Sequence, residues 1–298
     1  MHHLKGAPQV RRLAGTALAA VLVFSLAGCG TKAEAPKPVP AEKPAVSEVI
    51  MASTTSTQDS GLFDVLIPAF EKAFPQYKMK VIAVGTGEAL RMGETKDADV
   101  LLVHAKADEV KFVDAGFGLE RKDVMYNDFV LVGPAADPAG IKASNDTTAA
   151  MLAIQKAGVA AKASFVSRGD DSGTHKKELK TWGAAGVTTP TVSADKWYLS
   201  SGQGMGETLK IANEKGSYTL VDRATYLTMK PSVLDLTILF EKDKGLLNQY
   251  GVIVVTDAKN QAGGQAFFDW ILSAEGQKVV SEFGVEKFGQ PLFVPNAE

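Results

Sequence analysis

From Val49 onward, short apolar runs alternate with stretches in which apolar residues recur every three or four positions. That alternation predicts strands followed by amphipathic helices, and so an α/β fold with mainly parallel strands rather than a sandwich or a bundle. Residues 49–52 read as a strand, and Leu62, Val65, Leu66, Ala69 and Phe70 follow at the spacing of one helix face. The same pattern gives strands at 79–84, 100–103 and 129–132, with helices at 89–92 and 109–115 between them. After Gly133-Pro134 the loop contains Asp137-Pro138-Ala139-Gly140, a composition shift that marks a crossover between lobes. Helices at 151–157, 176–182 and 207–213 then alternate with strands at 163–167, 197–199 and 218–221. Strands at 234–240 and 252–255 make the return, before helices at 266–273 and 274–283. The expectation is two α/β lobes joined by two crossovers, with residues 46–133 plus 250–298 as lobe 1 and 134–249 as lobe 2. Sheets of this kind bind ligands beyond the carboxyl ends of their strands, here in the cleft between lobes.

The first 45 residues break this pattern. Lys5, Arg11 and Arg12 precede an apolar stretch, 13–27, that is too short to span a bilayer comfortably, which predicts a secretory signal over 1–28. Leu26-Ala27-Gly28-Cys29 resembles the lipobox of bacterial lipoproteins, which implies lipidation of Cys29, the single cysteine of the chain. The alternative is an ordinary signal with an incidental cysteine. Residues 29–45 carry four prolines between Pro36 and Pro44 and read as an extended tether. Removal of 1–28 would leave 29 basic against 34 acidic residues, an acidic mature chain with no footprint for nucleic acid. With one cysteine and four histidines, two of them at positions 2 and 3, a His/Cys metal centre is excluded by supply, and no cofactor is expected.

Candidate chemistry sits where strands empty into helices. The first strand ends in Ser53-Thr54-Thr55-Ser56-Thr57, five consecutive hydroxyl residues at a helix mouth. Capping uses one or two of them; the surplus hydroxyls, free N–H groups and helix dipole suit an anion. The second strand ends in Gly85-Thr86-Gly87, which lets backbone approach a ligand. In the second lobe Ser167-Arg168-Gly169-Asp170-Asp171-Ser172-Gly173-Thr174-His175 places a guanidinium, hydroxyls and a glycine at a helix start, a donor-rich cradle for an oxyanion. Its alternative is a surface turn with Arg168 paired to Asp170 or Asp171. The loop 200–206 and Arg223, beside Asp222, read as structural, as does His104 after the third strand. A hydrolase using Ser172 and His175 is disfavoured, because Asp-Asp-Ser-Gly-Thr is not a nucleophile elbow.

Several blocks in order, namely residues 54–62, Gly85-Thr86-Gly87, 97–105, 125–129, 167–175 and Gly289-Gln290-Pro291-Leu292-Phe293, resemble the tungstate-binding component of ABC-type oxyanion importers. The resemblance runs from about residue 49 to the end and departs from the family at Ser53, which stands where threonine is usual. It implies a two-lobed periplasmic-binding-protein fold of type II and a non-catalytic receptor for tungstate or molybdate. Thr54, Thr55, Ser56, Thr86, Gly87, Arg168, Ser172, Gly173 and Thr174 are the expected anion ligands. The implied partners are a membrane permease and its cytoplasmic ATPase, met by a monomer held at the extracytoplasmic face by its lipid anchor. A phosphate receptor is the nearest rival, since the arginine, aspartate, serine, glycine and threonine of 168–174 also resemble a phosphate cradle. Phosphate keeps a proton and rewards a carboxylate acceptor, whereas tungstate meets repulsion from one. Asp170 and Asp171 are therefore expected to turn away from the anion, pairing with Arg168 or capping the helix.

Overall fold

The structure, a computed structural model, describes residues 46–297. The signal, Cys29 and the whole tether over 29–45 lie outside the described residues. In chain order the elements of the first half are β1 (Ser47–Thr54), α1 (Thr55–Asp59), α2 (Phe63–Ala73), β2 (Tyr77–Val84), α3 (Thr86–Glu94), β3 (Val100–Val103), α4 (Lys106–Asp114) and β4 (Gly118–Pro134). The middle of the chain forms α5 (Thr147–Val159), β5 (Phe165–Ser167), α6 (Gly173–Ala184), β6 (Tyr198–Ser200), α7 (Met205–Lys215), β7 (Thr219–Asp222), α8 (Arg223–Met229) and β8 (Leu236–Phe240). The return is β9 (Leu247–Val255), followed by α9 (Gln261–Leu272), α10 (Ala274–Glu282), α11 (Val285–Phe288) and β10 (Val294–Pro295). Among the described residues no helix is long and apolar enough to cross a membrane.

In the first lobe β1 lies between β2 and β3, parallel to both, and β9 and β4 add antiparallel strands beside β3. Both faces of this sheet are covered. Val49 and Met51 point into a core with Phe70, Phe267 and Trp270, while Ala52 joins Leu101, Val103, Phe112 and Ile253 on the other side. Two-sided burial is why these strands read as apolar runs. In the second lobe β5 and β6 pair in parallel, and Phe165, Trp182, Trp197 and Tyr218 pack on one side of Val166, Met205, Val221 and Tyr226.

The crossover differs from the sequence expectation. Composition places it at Gly133-Pro134, but β4 runs for 17 residues and changes partners inside itself. Residues up to Asp128 pair with β9, and Phe129 onward pairs with β7 and β8 of the second lobe. The boundary drawn at 133/134 thus falls several residues late, and the one at 249/250 falls inside β9. The first half of β4 is polar because its outward side chains reach neighbouring charges, with Arg121 on the buried Glu109 and on Asp123. Antiparallel pairing, not local apolarity, makes it a strand.

Candidate functional site

Sheet register sets the site. Thr54 is paired with Val84, so the ends of β1 and β2 lie side by side and the helices that follow, α1 and α3, start at the same edge. The hydroxyl run passes from the end of β1, at Ser53 and Thr54, straight into the short helix α1, which takes in Thr55, Ser56 and Thr57. Thr54 caps it, accepting from Thr57 N–H at 3.4 Å and contacting the hydroxyls of Ser56 and Thr57 at 3.1 and 2.8 Å. From the other lobe, β5 ends at Ser167, and Ser172 caps α6 by accepting the His175 N–H at 3.2 Å. Between them the chain turns through Gly169 at φ 61° and Asp171 at φ 57°. A side chain at Gly169 would also overlap Ser200 Oγ, so this turn needs glycine.

The two edges touch. Arg168 is 1% exposed; its Nη2 donates to Thr55 Oγ1 at 2.8 Å and to Asp170 Oδ2 at 2.5 Å. Asp170 Oδ1 accepts the Ser172 N–H at 3.2 Å, so this carboxylate is held by its own loop. Asp171 is exposed, with Oδ1 3.5 Å from Lys176 Nζ. Gly87 N–H donates to Asp171 O at 3.4 Å, and Gly204 lies against Thr55. Further bonds hold the lobes together: Gly206 N–H to Asp59 Oδ2 at 2.9 Å, Lys176 Nζ to Asp108 Oδ2 at 2.5 Å, and Thr225 Oγ1 to Ser56 O at 2.9 Å. This is a closed clamp.

Four donors in it have no partner. Arg168 Nε and Nη1, Thr86 Oγ1 and Thr174 Oγ1 are all buried and unbonded within the protein. Buried polar groups are almost always satisfied, so four unpartnered donors at one seam mark it as the candidate ligand site. The hydroxyls of Thr54, Ser56 and Ser172 are committed differently, to the α1 cap, to His104 and to the α6 cap.

Sequence reasoning missed His104. Its Nε2 is 3.2 Å from Ser56 Oγ and its Nδ1 is 3.0 Å from Asn248 Oδ1, while Asn248 Nδ2 donates to Asn127 Oδ1 at 2.8 Å. The ring therefore links the hydroxyl cluster to both crossover strands. Burial, then the positive charge of Arg168, lowers its pKa to about 3, so it is a neutral ring. It also abuts the opposite lobe: a Cβ on Gly173 would stand 2.5 Å from His104 Cε1. Gly173→Ala is expected to wedge the lobes apart. Although alanine favours a helix interior, overpacking against a ring held at both nitrogens costs about 1–3 kcal/mol. Titration calorimetry should show ligand affinity reduced by at least about tenfold; unchanged affinity would show that the ring yields.

Two other expectations need correction. Arg223 binds neither the cleft nor Asp222, but Asp128 at 2.6 Å and Glu241 at 2.7 Å. The 200–206 loop, read as structural, faces the other lobe through Gly204 and Gly206. The Ser–His pairing a hydrolase needs is not formed: Ser172 Oγ takes the His175 backbone N–H, and His175 Nδ1 accepts from Asp171 N–H at 3.2 Å.

A two-lobed α/β chain that closes over a buried guanidinium and unpartnered hydroxyls has the architecture of a solute-binding protein. The family model described as PBP superfamily domain matches residues 38–275. The tungstate-binding protein TupA of Peptoclostridium acidaminophilum is 50% identical over 283 residues, covering 93% of this chain and 95% of that protein. The solved structure described as the tungstate ABC transporter from Geobacter sulfurreducens is 46% identical, with a TM-score of 0.70 over 79% of this chain and 98% of that one. The tungstate-binding protein TupA from Desulfovibrio alaskensis G20 is 45% identical, with a TM-score of 0.68 over 85% of this chain and all of that one. The chain belongs to the PBP superfamily and, within it, to the family of the tungstate-binding proteins.

Proposed function

We propose that this protein is the tungstate receptor of an ABC importer, a binding protein rather than an enzyme. The carrying observation is the set of unpartnered buried donors on Arg168, Thr86 and Thr174, drawn from both lobes. A tetrahedral dianion offers four acceptor oxygens and no donor. Arg168 Nε and Nη1 supply a charged fork, Thr86 and Thr174 supply hydroxyls, and the N-termini of α3 and α6 supply backbone N–H groups and dipoles. Thr54, Ser56 and Ser172 contribute through their caps and backbone, and Thr55, Gly87 and Gly173 shape the seam. Molybdate, with nearly the same size and charge, fits the same donors.

The phosphate reading asks for a carboxylate acceptor. Asp170 is paired to Arg168 and to Ser172 N–H, and Asp171 is exposed, so neither carboxylate of the Arg168 loop is a free buried acceptor. Asp222 Oδ2, at the end of β7, is buried and unpartnered, and its protonation is what a dianion that carries no proton requires. Closure then presents a single shape to the permease at the extracytoplasmic face, and through the permease to its cytoplasmic ATPase; lipidation of Cys29 would anchor the chain to the membrane. In a calorimetric titration of residues 46–298, tungstate and molybdate are expected to bind at least about 100-fold more tightly than sulfate or phosphate. A preference for phosphate would sink the assignment.

A further inference from the structure

One buried acid in the seam is unused by the binding scheme. Asp222, at the carboxyl end of β7, is 0% exposed. Its Oδ1 accepts the Thr225 N–H at 2.8 Å and caps α8, whereas its Oδ2 is buried without a partner. The same Thr225 donates its hydroxyl to Ser56 O at 2.9 Å, which places Asp222 against the hydroxyl helix α1.

The charges facing Asp222 come from each neighbouring element. Asp59 of α1 adds a like charge and Arg168 an opposite one. Burial, then the Asp222 carboxylate, keeps Tyr250 of β9 protonated, and its ring lies 4.8 Å from that of His104. From β4, Asp128 is neutralised by Arg223, the next residue after Asp222, which also holds Glu241. Burial, ahead of these partners, has already pushed the Asp222 carboxyl up to about 6. Asp59 is raised too, for the same reason, but its Oδ2 is occupied by Gly206 N–H. His104 is no candidate for a proton, since burial and Arg168 hold it neutral.

The charge of the clamp is therefore short of positive groups. The Arg168 guanidinium is shared with Asp170, and Asp59 and Asp222 add negative charge before any ligand enters. Two further negative charges inside the closed seam must raise the pKa values of the buried carboxyls around it, and Asp222 Oδ2 is the one carboxylate oxygen there left buried without a partner among the described residues. Resting on the oxyanion-receptor reading, we propose that closure on a dianion is coupled to uptake of one proton at Asp222 Oδ2, making Asp222 a charge-compensating residue of the binding site. The proton comes from solvent and forms an O–H bond on Oδ2; it returns to solvent when the anion leaves.

The sign follows from linkage. Above the pKa of the empty clamp and below that of the filled one, binding consumes a proton, so affinity falls as pH rises, by up to about tenfold per unit. Calorimetric titration with sodium tungstate at pH 7.5, in two buffers of different ionisation enthalpy, is expected to show uptake approaching about one proton per anion. Asp222→Asn keeps the helix cap and imitates the neutral acid. It is expected to bind tungstate up to about 100-fold more tightly than the native chain at pH 8, with the pH slope between 6.5 and 8.5 and the proton uptake both lost. Native binding with no proton uptake overturns the proposal and leaves the receptor reading intact. Equal uptake in Asp222→Asn also overturns it, assigning the proton elsewhere. Absence of tungstate binding by the native chain at any pH overturns the receptor reading itself.

Discussion

Arg168→Ala is expected to abolish useful tungstate binding, raising Kd by on the order of 100- to 10,000-fold. Two guanidinium donors, Nε and Nη1, are unpartnered in the closed seam, and hydrogen bonds to a charged group contribute about 1.5–3 kcal/mol each. Losing both removes about 3–6 kcal/mol, which is the stated range in Kd. The substitution also removes the Nη2 bond to Thr55, one of the ties between lobes, and leaves the Asp170 carboxylate in the same loop without its cation. Repulsion from that carboxylate adds to the loss. Arg168→Lys restores a charge but not the planar fork that bonds Thr55 and Asp170 while keeping two donors free, so it should recover only part of the affinity. Calorimetry on the three proteins tests this directly. An alanine variant that binds like the native chain would mean that the anion lies away from this seam.

Much of this site was legible in the sequence. A run of hydroxyls after one strand and Arg168 with Ser172 and Thr174 after another are local patterns, and local patterns survive in a one-dimensional reading. The bonding state of each hydroxyl does not. Five consecutive hydroxyl residues show a surplus over capping, but only the fold shows that Thr54 is the cap and that Ser56 faces His104. His104 was passed over because its partners, Ser56 and Asn248, are 48 and 144 residues away. Asp222 sits in the unremarkable string Val221-Asp222-Arg223, and its place beside Phe129 comes from the pairing of β7 with β4, which the sequence puts far from it. The polar half of β4 escaped for a related reason: its strand character comes from pairing with β9, not from an apolar run. What the chain states locally could be read; what it states through sheet register could not.

The Arg168 loop depends on a buried carboxylate behind it, and removing that carboxylate is expected to have the largest effect on stability. Glu178, 2% exposed on α6, accepts from Trp182 Nε1 at 3.0 Å, Tyr198 OH at 2.7 Å and Ser167 Oγ at 2.6 Å. Ser167 Oγ in turn accepts the Gly169 N–H at 3.1 Å, so Glu178 positions the first residues of the anion loop. Glu178→Ala strands three buried donors and opens a cavity between α6 and β6. Each stranded donor costs about 1–3 kcal/mol, part of it recovered by relaxation, for a total of about 4 kcal/mol. In a domain of this size that lowers Tm by on the order of 10 °C. Tungstate affinity should fall as well, because the loop loses its anchor. Glu178→Gln keeps an acceptor for Trp182 and Tyr198 and turns an amide toward Ser167, so it should cost only about 1 kcal/mol and restore most of the affinity. Its pH dependence carries the diagnostic. Burial, outweighing the three donors, pushes the Glu178 carboxyl up to about 7. A folded pKa raised above the unfolded value contributes stability that is present below the unfolded pKa, near 4.5, and lost as pH rises through about 7. Glutamine has no such contribution, so the native chain should lead Glu178→Gln by more at pH 5 than at pH 8, measured by denaturant unfolding at both. A constant difference across that range would mean that Glu178 stays charged throughout, and that Ser167, Trp182 and Tyr198 hold a carboxylate rather than a neutral acid behind the loop.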